Sequence, residues 1–258
     1  MTMPSGETLL DIYIALAIAG AIGVGIWSGF LARRKIQPGS FKWKRLGWES
    51  VAMLVTVTLS ATLLVWVRQW FDSMHWISFG TGPVHWYVVL FEYAAYWLAF
   101  DTWFYWNHRL MHQEPIYTWV HKLHHMSPAP NLMTTFSVNP LESIINGIFL
   151  TLFIAVFTIH ETTMALIVPT TVLMGLHVHC GYEFLPRWWN RTWLTKWFIT
   201  ATFHDQHHKY FRYNFGGFTP IWDYICGTVR KNYEADFLKI HDRKQASRKV
   251  QAEAEPAE

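Results

Sequence analysis

Five apolar stretches alternate with short polar connections along the chain, and they set its expected architecture. They run from Leu9 to Leu31, Ser50 to Val67, Val84 to Trp106, Leu141 to Ile159 and Thr162 to Leu176. The first is long enough to span a bilayer. It carries Gly20, Gly23, Gly25 and Gly29, small residues that let membrane helices pack closely. It does not read as a cleaved signal peptide, because it is too long and its positive charges follow the apolar run. Only His160 and Glu161 separate the last two stretches, which predicts a hairpin with its tip on the far side. Pro169 predicts a kink in the returning helix, tolerated where protein surrounds it. The expected fold class is all-α, a polytopic membrane protein with four to five transmembrane helices and a cytoplasmic histidine-rich cap.

The polar connections differ in charge. Arg33, Arg34, Lys35, Lys42, Lys44 and Arg45 fall in one loop, whereas the loop from Trp70 to Val84 holds Asp72 and no lysine or arginine. Cytoplasmic loops carry the excess of basic residues, so the first loop is expected inside and the amino terminus outside. The third stretch then delivers its polar end to the cytoplasmic face. Composition agrees with a membrane setting, with 52% hydrophobic residues, 15% charged residues and sixteen tryptophans. The net charge of +3 comes with no glycine-rich phosphate loop, no zinc-knuckle cysteine pair and no basic array, so a nucleic-acid binder is excluded. Two cysteines, Cys180 and Cys226, are too few for a disulfide framework and read as small buried thiols. Three regions are expected: 1–48, a helix and basic loop; 49–230, the membrane-embedded domain; and 231–258, a charged tail. From Lys239 that tail is poor in apolar residues and predicted to be disordered.

The chemistry gathers in three histidine clusters. His108 and His112 are four apart and share one face of a helix. His121, His124 and His125 fall at i, i+3 and i+4, and His204, His207 and His208 repeat that spacing. Neutral imidazole is the commonest side-chain ligand for transition metals, and helical i, i+4 pairs aim two at one ion. Eight such ligands exceed what one ion can bind, so two metals are implied. Pro115 ends the helix after the first cluster, the second is expected on a new amphipathic helix, and M-S-P-A-P-N forms the turn that closes it. Pro186 to Trp197, aromatic and basic, is expected to lie on the membrane surface.

H-R-L-M-H, H-K-L-H-H and H-D-Q-H-H resemble the three histidine boxes of the fatty acid hydroxylase and sterol desaturase superfamily. D-T-W-F-Y-W before the first box, H-C-G-Y-E-F-L-P at 179–186 and F-G-G-F-T-P-I-W-D-Y-I-C-G-T at 215–228 extend the likeness over about residues 90–230. The resemblance implies a di-iron centre, two iron ions that use dioxygen as co-substrate to hydroxylate or desaturate a fatty acyl, sphingoid or sterol-like lipid. It also adds His179, which aligns with the family's histidine before Gly-Tyr-acidic. Where many members have His-Pro and an acidic residue, this chain reads N-P-L-E from Asn139 to Glu142, so no ligand is carried over there.

Other residues are weighed beside these. Asp101, seven before His108, is expected to orient a histidine of another segment, since outer carboxylates fix imidazole tautomers. Asp205 is either such a partner or a helix N-cap. His177 is left open between ligand and bystander, and Glu92 is expected to serve helix packing. Trp103, Tyr105 and Trp106 are candidates for a substrate channel or for plain core packing, and Arg109 for a headgroup or cytosolic contact. His75, His85, His160 and His241 are expected to be non-ligands. Two electrons per turnover must come from outside, because the chain has no nicotinamide or flavin fingerprint and too few cysteines for an iron–sulfur cluster. A separate ferredoxin- or cytochrome-like donor is therefore expected, docking on the basic cytoplasmic face. The expected location is a bacterial inner membrane, or the endoplasmic reticulum of a eukaryote. Two rival readings remain, a redox-inactive metal-binding scaffold or transporter and a fatty-aldehyde decarbonylase. A transporter would carry polar residues near the midplane of several helices, whereas here they concentrate at one face.

Overall fold

The apolar stretches become long helices whose polar ends all finish on one side. A computed structural model describes residues 34–39 and 42–254. In chain order, α1 (Trp43–Ser73) and α2 (Trp86–Met111) are followed by a π-helical turn, Tyr117–His121, that runs directly into α3 (Lys122–His125). Then come α4 (Pro140–Val156) and α5 (Glu161–His179), and finally α6 (Ala201–Tyr210), α7 (Ile221–Ile225) and α8 (Tyr233–Ala254). The link between α1 and α2 holds a two-residue strand, β1 (Phe79–Gly80), and the link between α4 and α5 another, β2 (Ile159–His160). The two strands pair in parallel, so both links lie at one end of the bundle. Glu92 ties this end together, accepting from the His160 backbone N–H (3.0 Å) and from the Thr163 hydroxyl.

Local chemistry explains where the helices begin. Asn139 caps α4, its side chain accepting from Leu141 N, with Pro140 at the first helical position. His160 caps α5 through Nδ1, which accepts from Thr162 N at 3.1 Å, while its Nε2 donates to the Gly82 carbonyl. Thr200 caps α6 through Oγ1, which accepts from Phe203 N. The bundle interior is aromatic, with Tyr96 and Phe100 of α2 packed against Phe149 and Phe153 of α4. A methyl group on Gly147 would lie 2.5 Å from Leu64 Cδ1, so this glycine lets α4 approach α1 closely.

Among the described residues, two helices, α1 and α5, are long and apolar enough to cross a membrane, fewer than the four to five expected. Helix α4 is apolar but has 17 residues. Helix α2 is rich in Trp and Tyr and carries Glu92, Asp101 and Arg109, so its composition is mixed. The stretch from Leu9 to Leu31 lies outside the described residues. Helix α1 is no buried core helix, because Val51, Leu54, Leu59, Leu63 and Trp66 are exposed. A continuous apolar face of this kind needs lipid or protein against it.

Two further expectations change. The tail predicted to be disordered from Lys239 continues α8 to Ala254, anchored where Phe237 and Ile240 are buried. The second box lies on a π-helical turn and a four-residue helix, not on one amphipathic helix. Residues 186–197 form 3-10 turns with Trp188 and Trp193 exposed, the form expected of a surface-lying segment.

One buried carboxylate fastens α1 to the turn after the second box. Glu49 accepts from Ser127 Oγ, from Asn131 Nδ2 at 2.5 Å and from Thr134 Oγ1 at 3.4 Å, and Arg45 Nε stands 3.7 Å away. Replacing Glu49 by Ala strands those donors, and each buried donor left unpaired costs about 1–3 kcal/mol. The detergent-solubilised Glu49→Ala protein should therefore unfold several degrees earlier in a near-UV circular dichroism melt. Lys44→Ala, on the exposed face, should melt like the parent, and equal melting of all three proteins would remove this role from Glu49.

Candidate metal centre

The polar end of the bundle gathers nine imidazoles from five segments. His108 lies in the last turn of α2 and His112 caps its end; His121 closes the π-helical turn; His124 and His125 lie on α3; His179 ends α5; His204, His207 and His208 lie on α6. They sort into two groups, His108, His112, His121, His125 and His207 in one, His124, His179, His204 and His208 in the other. Within each group the ligand nitrogens lie within 4.8 Å of one another. The partition does not follow the boxes. Each i, i+4 pair stays together, whereas the remaining residue of the second and third boxes, His124 and His207, crosses to the opposite group. His177 belongs to neither. It lines a separate groove with Trp189 and Phe198.

Hydrogen bonding fixes which ring nitrogens are free. Nδ1–H of His108 donates to the Phe215 carbonyl (2.7 Å), that of His179 to Gly175 (2.8 Å), that of His207 to Tyr213 (2.7 Å) and that of His208 to Ser127 (3.0 Å). A carbonyl can only accept, so in these four rings the proton sits on Nδ1 and Nε2 presents a bare lone pair. Each bare Nε2 faces another imidazole Nε2. His207 lies 3.1 Å from both His112 and His125, and His204 lies 2.9 Å from His179 and 3.1 Å from His208. Burial first, then the neighbouring imidazoles, holds His121, His124, His125, His204, His207 and His208 well below the usual imidazole pKa. Packed neutral lone pairs repel, and one ring proton cannot serve two acceptors. A cation at the centre of each group satisfies all of them. Donors held at about 2.0–2.1 Å from one ion sit about 2.9–3.4 Å apart when adjacent, which matches these spacings. The donor set therefore fits two metal ions bound by nitrogen.

Carboxylates stand behind the imidazoles, though not where the sequence placed them. Asp101 touches no histidine. It accepts from Phe218 N (3.1 Å), Thr219 N (3.0 Å) and Thr219 Oγ1, because seven residues of helix carry it two turns below His108. Asp223 holds the other half of the same loop, accepting from Phe215 N (2.8 Å), Gly216 N (2.7 Å) and Thr228 Oγ1 (2.7 Å). Together they set the Phe215 carbonyl that receives His108. Glycine is needed at 216, where a Cβ would lie 2.3 Å from the Thr219 carbonyl. Asp205 is neither cap nor histidine partner; both its oxygens accept from Gln37 Nε2, at 3.0 and 3.1 Å, and burial pushes its carboxyl up to about 7. The carboxylate that does meet a histidine is Glu142, with Oε2 2.8 Å from His121 Nδ1. Its signal was the acidic residue of N-P-L-E, which sits on the inward face of the first turn of α4. Glu183, also missed, accepts from Thr202 N (3.0 Å) and Thr202 Oγ1 (2.6 Å) and so fixes the start of α6. Gly181, with φ +75°, turns the chain after α5 close against the Pro130 carbonyl, which a Cβ there would meet at 2.8 Å. Cys180 is buried as expected, whereas Cys226 is only half-buried.

Beneath the imidazoles a cavity of about 370 Å³ opens between α2, α4 and α5. Its upper wall includes His108, His121, His124, His179 and His204, and the rest is mostly apolar. The aromatic side chains that α2 turns toward it are Tyr96, Phe100 and Phe104, the i, i+4 row that ends in His108. Of the two readings of Trp103, Tyr105 and Trp106, the structure takes packing. Tyr105 is buried against Thr228, Trp106 packs on Trp222, and Trp103 packs on Phe149. Arg109 donates to Tyr105 Oη (3.3 Å).

The sequence model of the fatty acid hydroxylase family matches residues 93–228, a span that holds all nine histidines. The chain belongs to the fatty acid hydroxylase family. That membership makes it a lipid oxidoreductase, as its histidine boxes led one to expect. A C-4 methylsterol oxidase of Schizosaccharomyces pombe is 28% identical over 235 residues, 85% of this chain and 74% of the relative. Methylsterol monooxygenase 1 of Gallus gallus is 34% identical over 143 residues, 55% of this chain and 47% of the relative. A methylsterol monooxygenase of Aspergillus fumigatus is 26% identical over 234 residues, 86% and 75% of the two chains. The hydroxylase-family chain thus spans between about half and three quarters of these relatives' lengths. No solved structure matches it.

The partition into groups makes a specific prediction for this hydroxylase-family chain. Each of its two nitrogen sites should lose its own ion when one ligand goes. His208→Ala and His112→Ala should each reduce the metal content of the purified protein by about half, counted by elemental analysis. His177→Ala should retain the full content. Unchanged metal in His208→Ala would dissolve the second group.

Proposed function

We propose that the chain is a dioxygen-dependent di-iron monooxygenase of the membrane that hydroxylates a methylsterol-like lipid. The observation that carries this reading is the apolar cavity whose upper wall is made of five of the nine histidines. A redox-inactive scaffold has no use for a lipid-sized space beneath its ligands, and ligand pockets of about 300–1,000 Å³ are typical of enzymes with small hydrophobic substrates. The names of the relatives favour a methyl group on a sterol over a fatty acyl carbon.

Iron bound by the two nitrogen groups would supply the activation of dioxygen and the oxidation of an unactivated C–H bond. The residues do the rest. The nine histidines would hold the ions, and the backbone carbonyls of Phe215, Gly175, Tyr213 and Ser127 keep four of them in the ligating tautomer. Glu142 orients His121, and Asp101 and Asp223 act at one remove as positioning residues through the 215–219 loop. The lining of Phe100, Phe104, Leu150 and Val172 excludes water and holds the hydrocarbon. Helices α2 and α4 also cross the bilayer in this reading, with the histidine end cytoplasmic. Contacts of the basic loop support that side, since Arg34 donates to the Phe184 carbonyl (2.7 Å) and Gln37 to Asp205.

Electrons come from a separate ferredoxin- or cytochrome-like protein. Lys42, Lys44, Lys122, Lys209 and Arg212 are exposed around the histidine end and form the docking face. Weak encounters of this kind are steered by charge and screened by salt.

Incubation of the metal-loaded protein with a 4-methylsterol, a donor system and ¹⁸O₂ should give a hydroxylated product carrying one ¹⁸O atom. A product labelled from water, or a product short of two hydrogens with no added oxygen, would contradict monooxygenation. Turnover should need the added donor and fall as ionic strength rises to physiological values, and Lys122→Glu with Lys209→Glu should lower the rate at low salt and flatten its dependence on ionic strength. Steady turnover by the chain alone with NAD(P)H and dioxygen would overturn the donor requirement.

A further inference from the structure

Besides the Tyr96 phenol, four neutral polar side chains line the cavity: Thr135, Ser143, Asn146 and Thr171. Three of them are engaged. Thr135 Oγ1 donates to the Gly175 carbonyl (3.3 Å), Thr171 Oγ1 donates to the Ile167 carbonyl (2.8 Å), and Ser143 Oγ lies 3.0 Å from Ser60 Oγ. Asn146 differs, for its side-chain oxygen is buried without a hydrogen-bond partner. A buried amide atom left unpaired is costly, so its retention beside an apolar space calls for a ligand. Position supplies a second reason. Asn146 follows Glu142 by four residues on α4, which puts both on one face about 6 Å apart along the axis. Glu142 meets His121. Asn146 therefore stands about one helical turn below the metal groups.

We propose that Asn146 is the specificity-determining residue of the cavity, its amide hydrogen-bonding a hydroxyl of the bound lipid and so fixing which carbon faces the histidines. The inference rests on the reading that this cavity holds the lipid that is oxidised. A hydroxyl both donates and accepts, so it satisfies either end of the amide. A sterol carries its ring hydroxyl on the carbon next to C-4, and a polar anchor so near the clusters suits a substrate whose hydroxyl neighbours the oxidised position. An unsubstituted acyl chain offers nothing to this amide.

The test compares a 4-methylsterol bearing its free hydroxyl with the otherwise identical deoxy sterane, in nanodiscs, with metal-loaded wild type and Asn146→Leu. Leucine matches asparagine in size and removes both amide heteroatoms. Sites built to hydrogen-bond a substrate hydroxyl reject the analogue that lacks it, so wild type should favour the hydroxylated lipid by about a hundredfold or more in kcat/KM. In Asn146→Leu the preference should collapse, with KM for the hydroxylated lipid raised about tenfold or more, and oxidation should scatter over several carbons. Direct binding of the tritiated lipid should weaken in parallel. Metal content equal to wild type identifies the change as a lost anchor instead of a damaged fold. A variant that keeps both the preference and the single product position would overturn the inference while leaving the proposed function intact. A wild type that binds and oxidises neither lipid would overturn the proposed function and the inference with it.

Discussion

Nine imidazoles meet at one end of a helical bundle with too few protons to go between them. Four present Nε2 lone pairs because their Nδ1 protons are committed to backbone carbonyls. All nine lie within groups whose ligand atoms are closer than 4.8 Å, and eight of them are buried. Without positive charge at the two centres the arrangement is repulsive, and protonation cannot supply it, because burial disfavours the imidazolium form. Metal ions remove the repulsion, so the geometry of the site and the stability of the histidine end are one problem. Binding free energy at such sites becomes folding free energy.

The rest of the fold can be understood as support for that end. The paired strands at the opposite end register the two helical links, so α2 and α5 finish at the same level. Glu49, Asp101, Glu183 and Asp223 each accept from two or more groups and fasten a loop that a histidine depends on. Buried carboxylates are costly unless so bonded, and here Glu49 and Asp101 join segments far apart in sequence. Between the tied ends lies the cavity, apolar below and ringed by nitrogen above. A lipid that entered it would bring a hydrocarbon carbon to the histidine groups without bringing water.

Much of this was legible in the residues. Five apolar stretches, a basic loop and three histidine boxes point to the helical class, the common polar end and eight of the nine imidazoles, and the family resemblance adds the ninth, His179. The division of those imidazoles was not legible. Helical spacing identifies i, i+4 neighbours on one element, but His124 and His207 are assigned by the packing of α3 against α6, which no local pattern records. Carboxylates failed for a related reason. Distance in sequence from a histidine misleads for Asp101 and Asp205, since Asp101 reaches a loop 117 residues later and Asp205 reaches Gln37. Glu142 was passed over because its motif lacked the expected histidine, although its position on the first turn of α4 suffices to meet His121. Composition alone points to a disordered tail, whereas buried Phe237 and Ile240 anchor the helix that runs into it.

X-ray absorption at the metal edges, joined to elemental analysis of the same purified protein, addresses the two nitrogen-bound centres most directly. The account predicts about two iron ions per chain, each with a first shell of nitrogen or oxygen at about 2.0–2.2 Å, imidazole scattering beyond it, and no sulfur. A single metal per chain, or a shell containing cysteine sulfur at about 2.3 Å, would contradict it.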